Sequence, residues 1–399
     1  MIRPGGHLEA GRGVLMGWRG VGLLLLMGSG CMADREVESV ATLDLQLEQR
    51  LGSLDGELSL QPIRGITLSQ GRGDTLFVVQ AQTRSVWVLS AQGDSLGAIG
   101  RFGSGPGEFT GVGSVAVHQD TLWISDVNRV VSRFTADGQF IDQLRFPLDP
   151  LGEVESAPHF IAPLADGTLL FRSGYGPGSV AAGVLDRVAN VRVNRAGEVL
   201  DTLMLQTVAG GSMAIRFADG ARIMGLHPVD SSDRIALDPR GRWVVVASTA
   251  RSDLTDTTAT LTWVGIDGET LHEQTVHARS RPTSDARERF IDQLARGSSA
   301  TLPWGALDRV VDEQVPWPSV LPPVTHLFAD LDGRTWVATV HETAGSDRWF
   351  VFGEDGETLG SLVLPENVRL LAARGSTVWG WTTGAYDEPY LLRFSLGEM

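Results

Sequence analysis

From about residue 56 onward, short runs of Val, Ile, Leu, Thr and Trp alternate with polar residues and are broken by pairs containing Gly or Asp. Period-two runs of this length predict strands with one buried face, and the breaks predict tight turns. The turns fall into two sets. One leads into runs that end in an apolar residue: GRGDTLFVV (71–79), QDTLWIS (119–125), ADGTLLF (165–171), PRGRWVVVA (239–247), LDGRTWVA (331–338) and RGSTVWGW (374–381). The other comes later in each unit: AQGDSLGAIG (91–100), ADGQFIDQL (136–144), RAGEVLDTL (195–203), IDGETLHEQ (266–274) and EDGETLGSL (354–362). Glycine supplies the positive φ of a tight hairpin, and Asp or Asn supports it by bonding its own backbone.

Six first hairpins and five second hairpins make six four-stranded units, the last one strand short. The apolar stretch LQLEQRLGSL (45–54) precedes the first unit and can supply the missing strand. A ring closed in this way leaves no strand edge unpaired. The expected fold is therefore all-β: a six-bladed β-propeller of four-stranded antiparallel blades over residues 45–399, completed by its N-terminal strand. Two stretches read as helices, both inside the crossing at 279–323 between blades four and five. In SDARERFIDQLARG (284–297), Asp285 and Glu288 have capping-box spacing, Ala286, Phe290, Ile291 and Leu294 share a face, and Gly297 stops the helix. GALDRVVDEQ (305–314) is the second, flanked by Trp304, Trp317 and a proline-rich segment. Such an insertion can be a cap packed on the propeller, or a lid over a ligand with Trp304 or Trp317 as a stacking surface.

The glycine-rich RFGSGPGEFTG (101–111) is not a phosphate loop. Pro106 removes a donor amide, no helix follows, and the chain holds no lysine, all 33 basic residues being arginine. It reads as a blade-to-blade connection with Phe109 inserted between sheets. With the GPGEF lead-in, Asp126, Asn128 and Arg129 in one turn, and Asp137–Gly138 in the next hairpin, residues 103–146 resemble an NHL-type propeller repeat. Residues 330–365 resemble a late blade of bacterial six-bladed propeller lipoproteins.

The net charge of −15 repels phosphate backbones, so nucleic acid is not an expected partner. Without lysine there is no Schiff-base chemistry. The single cysteine, Cys31, excludes an internal disulfide and a cysteine-rich metal site. It ends a segment that runs from Arg19 through the apolar Val21–Met27 to small residues, the order of a secretory signal. The segment resembles a bacterial lipoprotein signal, although Gly28 stands where that pattern has a leucine-like residue. The resemblance implies a signal over residues 1–30, lipidation at Cys31, a solvated tether over 31–44, and a lipid-anchored protein of the bacterial cell envelope; ordinary cleavage would instead give a secreted one. Translation could begin at Met1 or at Met16.

Propeller topology sorts the loops. Hairpins one-two and three-four lie on one face, and the two-three loops and blade crossings on the other. The long segments (172–187, 248–260, 341–348, 207–231 and 279–323) all belong to the second class. Loops carry function more often than the elements they join, so a binding surface is expected on that face, at the mouth of the central channel. Candidate binding residues are Asp126, Asn128, Arg129, Tyr175, Trp304, Trp317 and His341. The eight histidines show no metal spacing, DLDGRTW (330–336) starts like a calcium loop but lacks its closing acid, and no nucleophile elbow is present. Two classes of function follow. The first is a non-catalytic, monomeric binding propeller for a protein, peptide or glycan, with no cofactor. The second is a gluconolactonase-like hydrolase or lyase with a divalent ion in the channel.

Overall fold

The strand that closes the ring is Leu45–Leu51, which pairs antiparallel with Pro389–Leu396 at the end of the chain. It completes a sheet whose other members are Arg369–Arg374 and Thr377–Thr383. The computed structural model describes residues 40–52, 60–61, 63–68, 75–80, 84–126, 129–146, 159–173, 185–209, 212–216, 222–226, 233–249, 256–279, 281–297, 304–315, 317, 321–341, 343 and 345–397. These fall in one unit, Val40–Met399. The expected signal and Cys31 lie outside the described residues.

The remaining blades follow in chain order, each an antiparallel sheet in which consecutive strands are neighbours. Blade one begins at Ile63–Leu68, blade two at Val112–His118, blade three at His159–Pro163, blade four at Arg234–Leu237 and blade five at Val324–Ala329. The chain is thus an all-β, six-bladed propeller, with its ring closed between the two chain ends as the turn count requires. Ahead of the closing strand, Leu43 N donates to Ser361 O and Ser361 N donates to Ala41 O, both at 2.8 Å. The entering chain is thereby strapped to the outer strand of blade five before it joins blade six.

The core is divided among the junctions. Phe77, Val79, Phe109, Leu122 and Phe134 fill the space between blades one and two. Trp123, Val131, Phe160 and Phe171 fill the next, and Leu164, Leu170, Leu203 and Val244 the one after. Trp243, Val245, Trp263 and Phe352 lie between blades four and five, Trp336, Trp349, Val378 and Phe394 between five and six, and Leu76, Leu89, Trp379 and Leu391 between six and one. The tryptophans among them all belong to the second and third strands of their blades. Phe109 does what its position in the sequence predicts. It is fully buried between blades one and two, and its ring lies so close to Gly100 that a Cβ there would approach it to 2.2 Å. Gly100 has φ +85°, so both space and backbone require glycine.

The insertion between blades four and five contains helices α1 (Ser284–Gly297) and α2 (Trp304–Gln314). Thr283 O accepts the Arg287 amide at 2.8 Å, so the first helical turn begins before Asp285, which lies inside the turn rather than capping it. The 207–231 crossing adds a feature the sequence pattern does not announce: an antiparallel hairpin, Ser212–Arg216 with Arg222–Leu226. Ile215 of this hairpin packs with Ile291, Leu307, Val311 and Val315, joining helices and hairpin in a separate apolar cluster. Arg287 ties α1 to α2 through Asp308 at 3.0 Å and Asp312 at 2.5 Å.

Candidate functional site

Three inner strands carry a polar residue at or near their start, followed by apolar residues: DRIAL in blade four, VTHLFA in blade five and NVRLLAA in blade six. A propeller brings the starts of its inner strands together around the axis, on the face of the crossings and two-three loops. Arg234, His326 and Arg369 are thereby gathered, with Asp347, Glu366 and Thr325, around a cavity of about 690 Å3. Arg281, from the crossing into blade five, and Ala286 and Arg289, from α1, complete its polar and helical wall. Ile235, Leu321, Pro322, Val324 and Val340 supply apolar surface. The volume is in the range of small-molecule sites, which run from roughly 300 to 1,000 Å3.

The charges are uneven. Among the described residues that line the cavity, four arginines face two carboxylates. Glu366 is taken up by Arg281, with which it forms an ion pair, and lies 3.5 Å from Arg289. Arg281 also donates to Ser346 O at 3.5 Å. Asp347 is buried and accepts the Thr325 hydroxyl at 3.1 Å. Burial pushes its pKa up to about 6, with Glu366 adding to the rise, against the Thr325 hydrogen bond and the pull of Arg281 and Arg369. Its proton is therefore exchangeable near neutrality. His326 stacks on Trp349, with centroids 6.1 Å apart and planes 12° from parallel. Burial, then Arg369 and Arg234, hold the imidazole down to about 4, so it is neutral at physiological pH.

Arg369 opens its accessible surface into the cavity, yet the protein packed around it desolvates the guanidinium and lowers its pKa, an effect Arg234 strengthens and Asp347 opposes. It lies over the Trp381 ring at 5.5 Å. Among the described residues no carboxylate comes within ion-pair distance of it. An arginine cannot shed its proton to escape such a place, so the site holds a fixed, partly desolvated cation beside a carboxylic acid.

Of the residues singled out from sequence, Asp126, Arg129, Trp317 and His341 are not among those lining the cavity. Asp126 is buried in blade two and accepts the Thr110 amide and hydroxyl, each at 2.8 Å. The Arg129 amide donates to Asp126 O at 3.2 Å in the same turn, with φ +64° at Arg129. Asn128 and Tyr175 lie outside the described residues. Trp304 opens α2, and Trp317 packs edge-on against Phe290 in the cap, centroids 6.0 Å apart. His341 sits in the two-three turn of blade five, where Nδ1 accepts the Thr343 amide at 3.1 Å and Nε2 lies 3.3 Å from Arg348. The structure keeps Asp126 and Arg129 together, packs Trp317 in the cap and places Trp304 at the start of α2.

The described residues that line this cavity do not suit a divalent ion. Cation binding needs several carboxylate or carbonyl oxygens, whereas here arginines outnumber carboxylates and hold one of them. Among the described residues no group of three or more His, Cys, Asp or Glu is arranged to hold a metal.

A family model described as a 6-bladed beta-propeller matches residues 58–175. No curated protein sequence matches the chain. Among solved structures, a putative exported protein from Bacteroides fragilis aligns with TM-score 0.42 and 14% identity, over 92% of this chain and 98% of the other. The PQQ-bound aldose sugar dehydrogenase of Streptomyces coelicolor aligns with TM-score 0.39 and 11% identity, over 90% and 99%.

Proposed function

We propose that this protein is a non-catalytic binding propeller of the NHL type, held at the bacterial cell envelope through Cys31, which receives part of a peptide, protein or glycan ligand in the cavity at the mouth of its channel. The observation that carries this reading is the cavity itself. It lies on the crossing face, beside helix α1 of the insertion, and it is lined by partly desolvated charges that folding does not require. Its groups favour holding over reacting. His326 is kept neutral and stacked, and Glu366 is paired.

A screen of short peptides and oligosaccharides by ligand-observed NMR tests this. Ala286, on the cavity wall, is replaced by tryptophan to fill the space. Binders found with the native chain lose their signal with Ala286→Trp; binding that survives the replacement, or conversion of any compound to product, overturns the reading. The address is tested separately. Cys31→Ser moves the protein from the membrane fraction to the soluble fraction of the envelope, and continued membrane association refutes the lipid anchor.

A further inference from the structure

On the outer rim of the ring, apart from the cavity described above, we infer a second binding site: the outer strand of blade one, Ser95–Ile99, takes an extended segment of another protein as an added strand, one that carries an aliphatic side chain and basic flanks.

Blade five shows the mode of binding, with the entering chain itself as the occupant. Residues 41–43 lie along its outer strand, Thr358–Pro365, with Thr42 opposite Ser361 in parallel register. The two backbone bonds of this strap both use Ser361. Leu43 drops into the junction with blade six, where it is 6% exposed. Gly360 makes room for it: a Cβ there would stand 2.5 Å from Leu43 Cδ2 and 3.0 Å from Ala41 O.

The residue in the place of Gly360, four after the turn glycine, distinguishes the blades. It is Gly97 in blade one, Asp142 in blade two, Asp201 in blade three and His272 in blade four. Asp142 and Asp201 are taken by their own blades, where Arg133 Nε donates at 2.5 Å and Arg192 Nε at 2.8 Å. Blades one and five alone carry glycine there, and their ladders match. Gly97 faces Val88 and Ala98 faces Trp87, as Gly360 faces Val351 and Ser361 faces Phe350. Each ladder shifts register at the same step, between Val88 and Leu89 and between Val351 and Phe352. The amide and carbonyl of Ala98 therefore point away from the sheet, as those of Ser361 do. Under the strap, Gly360 is buried and Leu359 and Ser361 are half-buried, whereas Leu96, Gly97 and Ala98 are all exposed, Leu96 by 60%. A Cβ on Gly97 would meet nothing within 4 Å, and its φ of +138° calls for glycine as well. Exposed edges are ordinarily blunted by charge or proline; SLGAI has neither.

Beside this edge, at the junction with blade two, lies a cavity of about 690 Å3 lined by residues 96–99, Val88, Asp120 and Asp137. It occupies the place that Leu43 fills in the junction of blades five and six, and its aliphatic surface suits a side chain of that kind. The charged residues that line it are the two aspartates; among the described lining residues no arginine accompanies them. Asp137 receives the Thr135 hydroxyl and the Gln139 amide, neutral donors both. Carboxylates so placed favour a segment with basic flanks.

Fluorescence polarisation with the full chain tests this. The probe is the blocked peptide RVATLR, labelled at its C-terminus, which sets the order of residues 40–43 between two arginines. The expected results are saturable binding of RVATLR, loss of binding when its leucine amide is N-methylated, and binding of EVATLE weaker by about threefold or more at low salt. Ala98→Pro removes the outward amide at an edge position where proline is tolerated; it should unfold like the native chain and fail to bind. Should that variant not fold, the methylated peptide tests the same contact from the other side. Undiminished binding of the methylated peptide, or binding that survives in folded Ala98→Pro, overturns the added strand. Equal binding of RVATLR and EVATLE overturns the basic flanks, and no binding of RVATLR at about 1 mM overturns the site. Light scattering examines the other occupant: a dimer that Ala98→Pro dissociates gives the strand to a second copy of this chain and overturns the foreign partner. None of these outcomes bears on the Ala286→Trp screen, which tests the cavity.

Discussion

Replacing Asp347 with asparagine should make the protein more stable at neutral pH, although the residue is buried and hydrogen-bonded. The carboxyl has its pKa pushed up to about 6, chiefly by burial, despite the Thr325 hydroxyl and the neighbouring Arg281 and Arg369. In an unfolded chain the same group titrates near the usual aspartate value of about 3.9. A folded pKa above the unfolded one means that the native state binds the proton more tightly. The stabilisation this gives is complete below about pH 4 and is lost as pH rises through about 6. At pH 7.5 the ionised group therefore costs the fold ~3 kcal/mol, from about 1.4 kcal/mol for each tenfold difference in proton affinity. Asparagine resembles the protonated form in shape and can still accept the Thr325 hydroxyl, so most of that cost should disappear. Urea unfolding of both proteins from pH 4.5 to 8 is the assay. The variant should gain about 2–3 kcal/mol at pH 7.5, with the gain shrinking toward zero near pH 4. A loss of stability at pH 7.5, or a gain independent of pH, would refute the argument, because it would mean that Asp347 is a satisfied ion-pair partner.

Two further substitutions probe the frame. Asp330→Ala removes the acceptor for the amides of Asp332 and Arg334, for Arg334 Nε at 2.5 Å and for Trp336 Nε1 at 2.8 Å, and leaves the buried guanidinium of Arg334 with Asp332 as its remaining carboxylate among the described residues; chemical denaturation should show a loss of about 3–5 kcal/mol, and a loss below about 1 would mean that water replaces the carboxylate. Gly100→Ala places a methyl against the Phe109 ring at a positive φ; unfolding should register about 2–5 kcal/mol of strain and overpacking, whereas Gly97→Ala, where a Cβ meets nothing within 4 Å, should show only the backbone part.

The repeat was readable from sequence because turn chemistry is local. Gly138 at φ +86° and Gly268 at +85° each sit in an Asp–Gly pair of the second turn set. The helical insertion was legible for the same reason, since the apolar face of 284–297 and its closing glycine lie within one segment. The cavity was not legible, because its members are far apart in the chain: Arg234, His326, Asp347 and Arg369 belong to three blades and meet only when the ring closes. Their signal was nonetheless present. Each of the three inner-strand residues stands at or near the start of its strand, where a strand that only packs would carry Val or Ile. Asp126 drew attention as a polar residue in a loop, whereas the structure gives its carboxylate to Thr110. Polarity at a turn is commonplace; polarity at the start of an inner strand is the stronger indicator in a ring of blades.

Asp330 and Asp347 show why the crossing face, and not the hairpin face, is the place to look for a ligand. Both belong to blade five, both are buried, and burial raises the pKa of each. Their surroundings differ. Asp330 is enclosed by two backbone amides, an indole and a guanidinium, so its charge is answered from every side within the fold. On the same face Arg242 is held by Asp238 at 2.7 Å and by Glu354 of the next blade. Asp347 has one hydroxyl, and the cation it senses across the cavity, Arg369, forms no ion pair among the described residues. Folding selects against buried charge left in that condition unless something else requires it. On the hairpin face Asp330, Asp238, Arg242 and Glu354 are spent within and between blades; on the crossing face Asp347 and Arg369 line one cavity and form no ion pair among the described residues.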